Sequence, residues 1–218
     1  MHGDLSLAPG LSGYQAEPGG SGPGVLVVHD WYGLLPGVRA ACDALAGAGF
    51  VAFAPDLYGG PATTDAAEAE ALMSALDVAE ARERMALGTM HLREHRRVAG
   101  GKIGTVGFSM GGDLALRYAA TGELDAVVAY YAALDPSRRE PLPCPVLLQL
   151  AEVDEWEPPD TPEAYLAFLR EAGTQADART WPGTEHSFAN PDVPSANDAA
   201  AALAWADTLA FLGRHLRG

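Results

Sequence analysis

Along the chain, short apolar runs alternate with longer stretches whose apolar residues recur at helical spacing. Residues 24–28 (GVLVV) and 50–54 (FVAFA) are continuously apolar, as are most positions of 102–107 (KIGTVG), 126–130 (AVVAY) and 145–150 (PVLLQL). Such runs suit strands buried on both faces of a parallel sheet. Residues 177–181 read as a last strand. Between these runs, 36–49 carries Val38, Cys42, Leu45 and Ala46 at helical spacing and stops at Gly49. Residues 65–97 are rich in Ala, Glu, Leu and Arg, which favours one or two helices broken near Gly88 or before it. Further helices are expected at 110–120, ended by Gly122, and at 197–216. Another is expected at 161–172, with Thr161 as cap, Pro162 in the first position and Gly173 as stop. The Gly- and Pro-rich segment 1–24 holds two short strand candidates, 5–7 and 13–16, and reads as an edge hairpin. This alternation predicts an α/β domain with a mostly parallel central sheet and helices on both faces. With no internal repeat or linker, residues 1–218 are expected to form a single domain.

Composition narrows the partners. The chain has 218 residues and a formal net charge of −15. Nucleic acid and anionic membranes are themselves negative, so both are disfavoured, while a small molecule answers only to the local field of a pocket. The acidity otherwise serves solubility. Two cysteines, Cys42 and Cys144, stand in apolar surroundings without a CxxC pair. They read as core packing in a reduced, cytoplasmic protein. The amino-terminal segment lacks the basic start and apolar run of a signal peptide, and no stretch reaches membrane-spanning length. A cytoplasmic monomer is expected. The histidines are scattered, and neither HExxH nor a phosphate-binding or dinucleotide fingerprint is present. No metal and no cofactor are expected.

The strongest chemical signal is Gly107-Phe108-Ser109-Met110-Gly111, a G-x-S-x-G motif between a buried strand and a helix-forming run. Such a turn lifts the serine hydroxyl above the carboxyl edge of a sheet, where the next helix aims its free N–H groups. The plain alternative is a glycine-rich turn with a capping serine. A serine hydroxyl needs a base. In this arrangement acid and histidine follow the serine in the chain. His186 lies after the last predicted strand and before the last helix, which suits the base; His29 also ends near the site but precedes the serine. Glu152, Asp154, Glu155 and Glu157 follow the 145–150 strand as candidate acids. The oxyanion hole is expected from the backbone N–H groups of Met110 and of the loop after the first buried strand, with Trp31 the favoured donor. Trp31 and Tyr32 equally suit an aromatic pocket wall.

Several segments together resemble the dienelactone hydrolase family of the α/β-hydrolase superfamily. They are the run from Pro23 through His29-Asp30-Trp31-Tyr32-Gly33, the segment from Gly49 through Asp56-Leu57-Tyr58-Gly59, Lys102 through Gly112, Glu152-Val153-Asp154, and Glu185-His186-Ser187-Phe188. The resemblance implies an α/β-hydrolase fold and hydrolysis of a small ester or lactone through an acyl-enzyme, and it selects Asp154 as the acid. This chain departs from the best-known members. They carry cysteine at Ser109, a glutamate restraining it at Asp30, and a carboxylate-binding arginine at Asn190, four positions after the histidine. A second arginine would fall near Arg82 or Arg84. Tyr58 is expected to line the pocket or to pack. The incomplete carboxylate clamp opens the alternatives of a thioesterase or a promiscuous esterase. A non-catalytic binding protein on the same scaffold is a further alternative, which a broken triad would mark.

Overall fold

The computed structural model describes residues 2–8, 10–134 and 140–217. Its strands are β1 (His2–Ala8), β2 (Leu11–Ala16), β3 (Gly22–Val28), β4 (Val51–Pro55), β5 (Val98–Phe108), β6 (Ala126–Tyr130), β7 (Val146–Val153) and β8 (Ala176–Glu185). They form one sheet in the order β1-β2-β4-β3-β5-β6-β7-β8. β1 and β2 are an antiparallel edge hairpin, and β2 runs antiparallel to β4. From β4 to β8 every neighbouring pair is parallel.

The described residues form six helices: α1 (Pro36–Gly47), α2 (Ala66–Ala75), α3 (Val78–Glu94), α4 (Met110–Ala119), α5 (Thr161–Glu171) and α6 (Asp198–Leu216). The alternation along β3 shows why both faces need covering. Val25 and Val27 join Cys42 and Leu45 of α1 and Phe211 and Leu212 of α6 in one apolar cluster. Leu26 and Val28 join Met85 and Leu92 of α3, Leu114 of α4 and Leu169 of α5 in the other. A strand buried on both sides has no polar face to show, hence the continuous apolar runs.

Several boundaries differ from the sequence reading. The helical stretch after residue 65 does break before Gly88, at 76–77, where the Asp77 side chain accepts the N–H groups of Ala79 and Glu80 and so starts α3. Gly88 lies buried inside that helix rather than ending it. At α5 the N-cap position is Asp160, whose side chain makes no cap bond, and Thr161 is already helical. β1, β2, β5, β7 and β8 all run longer than the apolar stretches read from the sequence; in β5 and β8 pairing resumes beyond a register irregularity, and Pro182 and Gly183 are part of β8. Gly49 does close α1: it has φ 89°, and Gly49 and Phe50 donate to the carbonyls of Ala46 and Leu45. Both cysteines are buried and free.

Candidate active site

β5 ends at Phe108 and α4 starts at Met110, leaving Ser109 alone to make the turn. Its backbone has φ 50° and ψ −116°, a region that L-residues rarely occupy. The turn is tight because the chain nearly touches itself. A Cβ at Gly107 would stand 2.3 Å from the Gly111 carbonyl oxygen, and one at Gly111 would stand 2.4 Å from the carbonyls of Val28 and His29. No side chain fits at either position. The Ser109 N–H donates to the Tyr130 carbonyl at 2.9 Å, tying the strained residue to β6.

The structure brings together the three residues read from the sequence. Ser109 Oγ lies 2.8 Å from His186 Nε2, and His186 Nδ1 lies 2.9 Å from both carboxylate oxygens of Asp154. Asp154 follows β7, and its Oδ1 also accepts the Trp156 N–H at 3.0 Å. His186 follows β8. The side chains of His186 and Asp154 are 16% and 12% exposed, so the pair is shielded but reachable. Beneath the loop after His186, Phe188 is fully buried against Tyr130 and Tyr131.

Around the elbow, the loop after β3 is held at several points. Asp30 is 2% exposed; its Oδ1 accepts the Tyr32 N–H at 2.9 Å and its Oδ2 accepts the Asn190 side-chain amide at 2.8 Å. Burial pushes this carboxyl up to about 6, against the pull of the two hydrogen bonds and of nearby His186. The Tyr58 hydroxyl donates to the Trp31 carbonyl at 3.0 Å and sits beside Met110 Sδ. His29 is fully buried: its Nδ1 meets the Asp30 carbonyl at 2.6 Å, and its Nε2 accepts the Leu57 N–H at 3.1 Å. Burial lowers its pKa. It therefore ties the ends of β3 and β4 together as a neutral ring, away from the Ser109 hydroxyl.

Above His186 a hollow of about 410 Å³ is lined by Trp31, Tyr32, Trp156 and Ser187 among others. Trp31 and Trp156 meet edge to face at 5.5 Å, and Trp156 is 55% exposed. Of three further neighbours of His186 and Asp154, Trp156 and Tyr131 escaped the sequence reading and Glu157 entered it only as a candidate acid. Trp156 overhangs His186 at 6.2 Å between ring centres. Tyr131, with φ 36°, meets the His186 ring at a tilt of 59°, 5.1 Å between centres. Glu157 accepts the Leu134 N–H, and burial, followed by the nearness of Asp154, raises its carboxyl pKa. Their shared signal was position: each lies just past the carboxyl end of β6 or β7. Neither candidate arginine joins the site. Arg84 donates to Glu80 and to the Asp56 carbonyl, and Arg82 lines a different hollow with Asp113 and Arg117. Asn190 is engaged by Asp30. Among the described residues no group of three or more His, Cys, Asp or Glu side chains is placed to hold a metal ion, and no helix is long and apolar enough to cross a membrane.

The sequence pattern of the dienelactone hydrolase family matches residues 11–216, nearly the whole chain. The chain belongs to the dienelactone hydrolase family. Membership makes it a hydrolase acting on ester or lactone bonds. "Protein usf" of Aquifex pyrophilus is 31% identical over 94% of this chain and 94% of its own. Two solved structures share the fold. A dienelactone hydrolase-like promiscuous phosphotriesterase from metagenomic libraries has a TM-score of 0.87 at 23% identity, covering 99% of this chain and 98% of its own. The dienelactone hydrolase from Anabaena variabilis has a TM-score of 0.73 at 23% identity, covering 100% and 99%. The sheet order and helix placement above are thus those of the α/β-hydrolase fold.

Proposed function

We propose that this hydrolase cleaves a small carboxylic ester or lactone through an acyl-enzyme on Ser109. The observation that carries the reading is the unbroken relay of short contacts, 2.8 Å from Ser109 Oγ to His186 Nε2 and 2.9 Å from His186 Nδ1 to Asp154, at a strained elbow. Asp154 accepts the Nδ1–H, which leaves Nε2 free to take the Ser109 proton as Oγ attacks the carbonyl carbon. The oxyanion of the tetrahedral intermediate meets the N–H groups of Met110 and Trp31. The bonds from Tyr58 to the Trp31 carbonyl and from the Tyr32 N–H to Asp30 support this role, since they hold at both its polar groups the peptide that follows that donor. His186 then passes its proton to the leaving oxygen, and the C–O bond breaks. A water that gives its proton to Nε2 attacks the acyl carbon, and collapse of the second intermediate returns Ser109 and releases the acid.

Asp30, Tyr32, Tyr58 and Asn190 border the place where the substrate lies. With Asn190 bound to Asp30 and Arg84 to Glu80, a carboxylate-bearing dienelactone lacks the cations that would seat it. This favours a neutral ester or thioester over dienelactone. The free cysteines and acidic charge suit a cytoplasmic monomer.

The test is a comparison of initial rates for dienelactone and for short p-nitrophenyl esters, with Ser109→Ala as the blank. Ester turnover with dienelactone inert is expected. Fast dienelactone turnover would show that another group replaces the arginine. Undiminished hydrolysis by Ser109→Ala would sink the acyl-enzyme, and no rate above the blank on either substrate would favour a binding protein.

A further inference from the structure

On the flank of the sheet, between α1 and α6, lies a crevice of about 270 Å³ that the mechanism does not use. Its sides are alanines, among them Ala41 and Ala44 of α1 and Ala201 and Ala202 of α6. Among its polar lining residues, Asp30 and Tyr131 are at most 2% exposed, while the Asn190 amide is taken up by Asp30 and the Tyr130 hydroxyl by Thr208. The Tyr131 hydroxyl has no hydrogen-bond partner among the described residues. A buried hydroxyl left unpaired is costly, so a group that satisfies it is called for. The lining shares no residue with the hollow over His186.

We propose that this crevice is a second small-molecule site, separate from the hollow over His186 although Asp30 and Asn190 also border the proposed substrate place, that takes an uncharged apolar molecule bearing one hydroxyl, of phenol-like chemistry. The ligand hydroxyl donates to the Asp30 carboxylate and accepts from the Tyr131 O–H. An anion meets the Asp30 charge in apolar walls and is refused. An ammonium offers no acceptor for the Tyr131 proton. The volume lies near the lower end for ligand sites, which suits a single ring. Occupancy reaches the catalytic centre along two contacts already described: Tyr131 meets the His186 ring, and Asp30 holds the Tyr32 N–H.

The test is calorimetric titration of the full chain with p-cresol, toluene and 4-methylbenzoate. p-Cresol is expected to bind about tenfold or more tighter than toluene, because a site built for a hydroxyl rejects the analogue lacking it; 4-methylbenzoate is expected not to bind. Ala202→Trp, on an exposed helical position, should abolish p-cresol binding while keeping p-nitrophenyl acetate hydrolysis; Ala41→Leu serves if that variant does not fold. Equal binding of toluene and p-cresol would overturn the proposal. So would undiminished binding by the filled variants, or purely competitive inhibition of the ester by p-cresol. Calorimetry reads binding whether or not the ester is turned over, so failure of this site and failure of the acyl-enzyme reading are distinguishable.

Discussion

Ser109 and His186 stand 2.8 Å apart but are held by opposite means. The serine side is backbone architecture: β5 is buried from Ile103 to Phe108, and the turn closes on carbonyls with room only for glycine. The acid and base sit on the far ends of β7 and β8, where the strands leave the core, exposure rises and the register shifts between Ala151 and Val153. There the positions are set by side chains: Asp154 on His186, Glu152 on the Gly183 N–H, and Phe188 buried beneath the loop. A nucleophile displayed on a strained turn needs rigid surroundings to keep the strain. A base that must accept and return a proton needs orientation more than immobility.

The contrast can be broken most severely at the relay. His186→Ala is expected to lower kcat by about 10⁶, the scale for removing one member of such a unit. Asp154→Asn should cost about 10⁴ by favouring the wrong imidazole tautomer. Steady-state rates on p-nitrophenyl acetate check both, and a loss below tenfold for Asp154→Asn would remove it from the triad. Next comes the backbone. Gly111→Ala places a methyl 2.4 Å from two carbonyl oxygens and should destabilise by more than about 3 kcal/mol. Gly183→Ala on the β8 side meets no atom within 4 Å and carries only the strain of φ 71°, about 1 kcal/mol. Urea unfolding of the two variants tests the asymmetry directly; equal losses would refute it.

Asp30 gives a pH handle between the two halves. Its pKa rises from 3.8 to about 6 on folding, so the folded state binds the proton more tightly than the unfolded one. Its contribution to stability is therefore full below about pH 4 and is lost as the pH rises to about 6, at most about 3 kcal/mol for a shift of roughly two units. Asp30→Asn should gain on the wild type by up to that amount between pH 4 and pH 7 in paired urea titrations; a gap that does not change with pH contradicts the shift. The smallest effect is expected at the rim. Trp156→Ala should lower kcat/KM for aromatic esters several-fold, about 1 kcal/mol, with stability unchanged because the ring is 55% exposed.

How far the sequence could be read differed from place to place for physical reasons. The strands β3, β4 and β6 were legible because burial on both faces leaves an uninterrupted apolar run. Ser109 was legible because a self-contacting turn demands glycines at fixed offsets. The break between α2 and α3 was bounded only loosely, near Gly88 or before it, since a glycine inside a helix and one ending it look alike until the neighbouring sheet is known. The outer half of β8 was missed because Pro182 and Gly183 read as a strand end, whereas pairing resumes beyond them, Val153 with Glu185, across a register shift.

The sequence by itself determined the α/β alternation and singled out the G-x-S-x-G turn, Ser109 and His186 as candidates, because each is written in local spacing. Asp154 among four nearby acids needed the family resemblance. Only the tertiary structure decided that Asn190 is engaged by Asp30, that Arg84 turns to Glu80, and that Tyr131 presents an unpaired hydroxyl beside a crevice. The Asn190 and Tyr131 placements depend on segments far apart in the chain, and Arg84, although Glu80 is one helical turn away, is fixed also by the distant Asp56 carbonyl; no local pattern encodes which distant partner a side chain will meet.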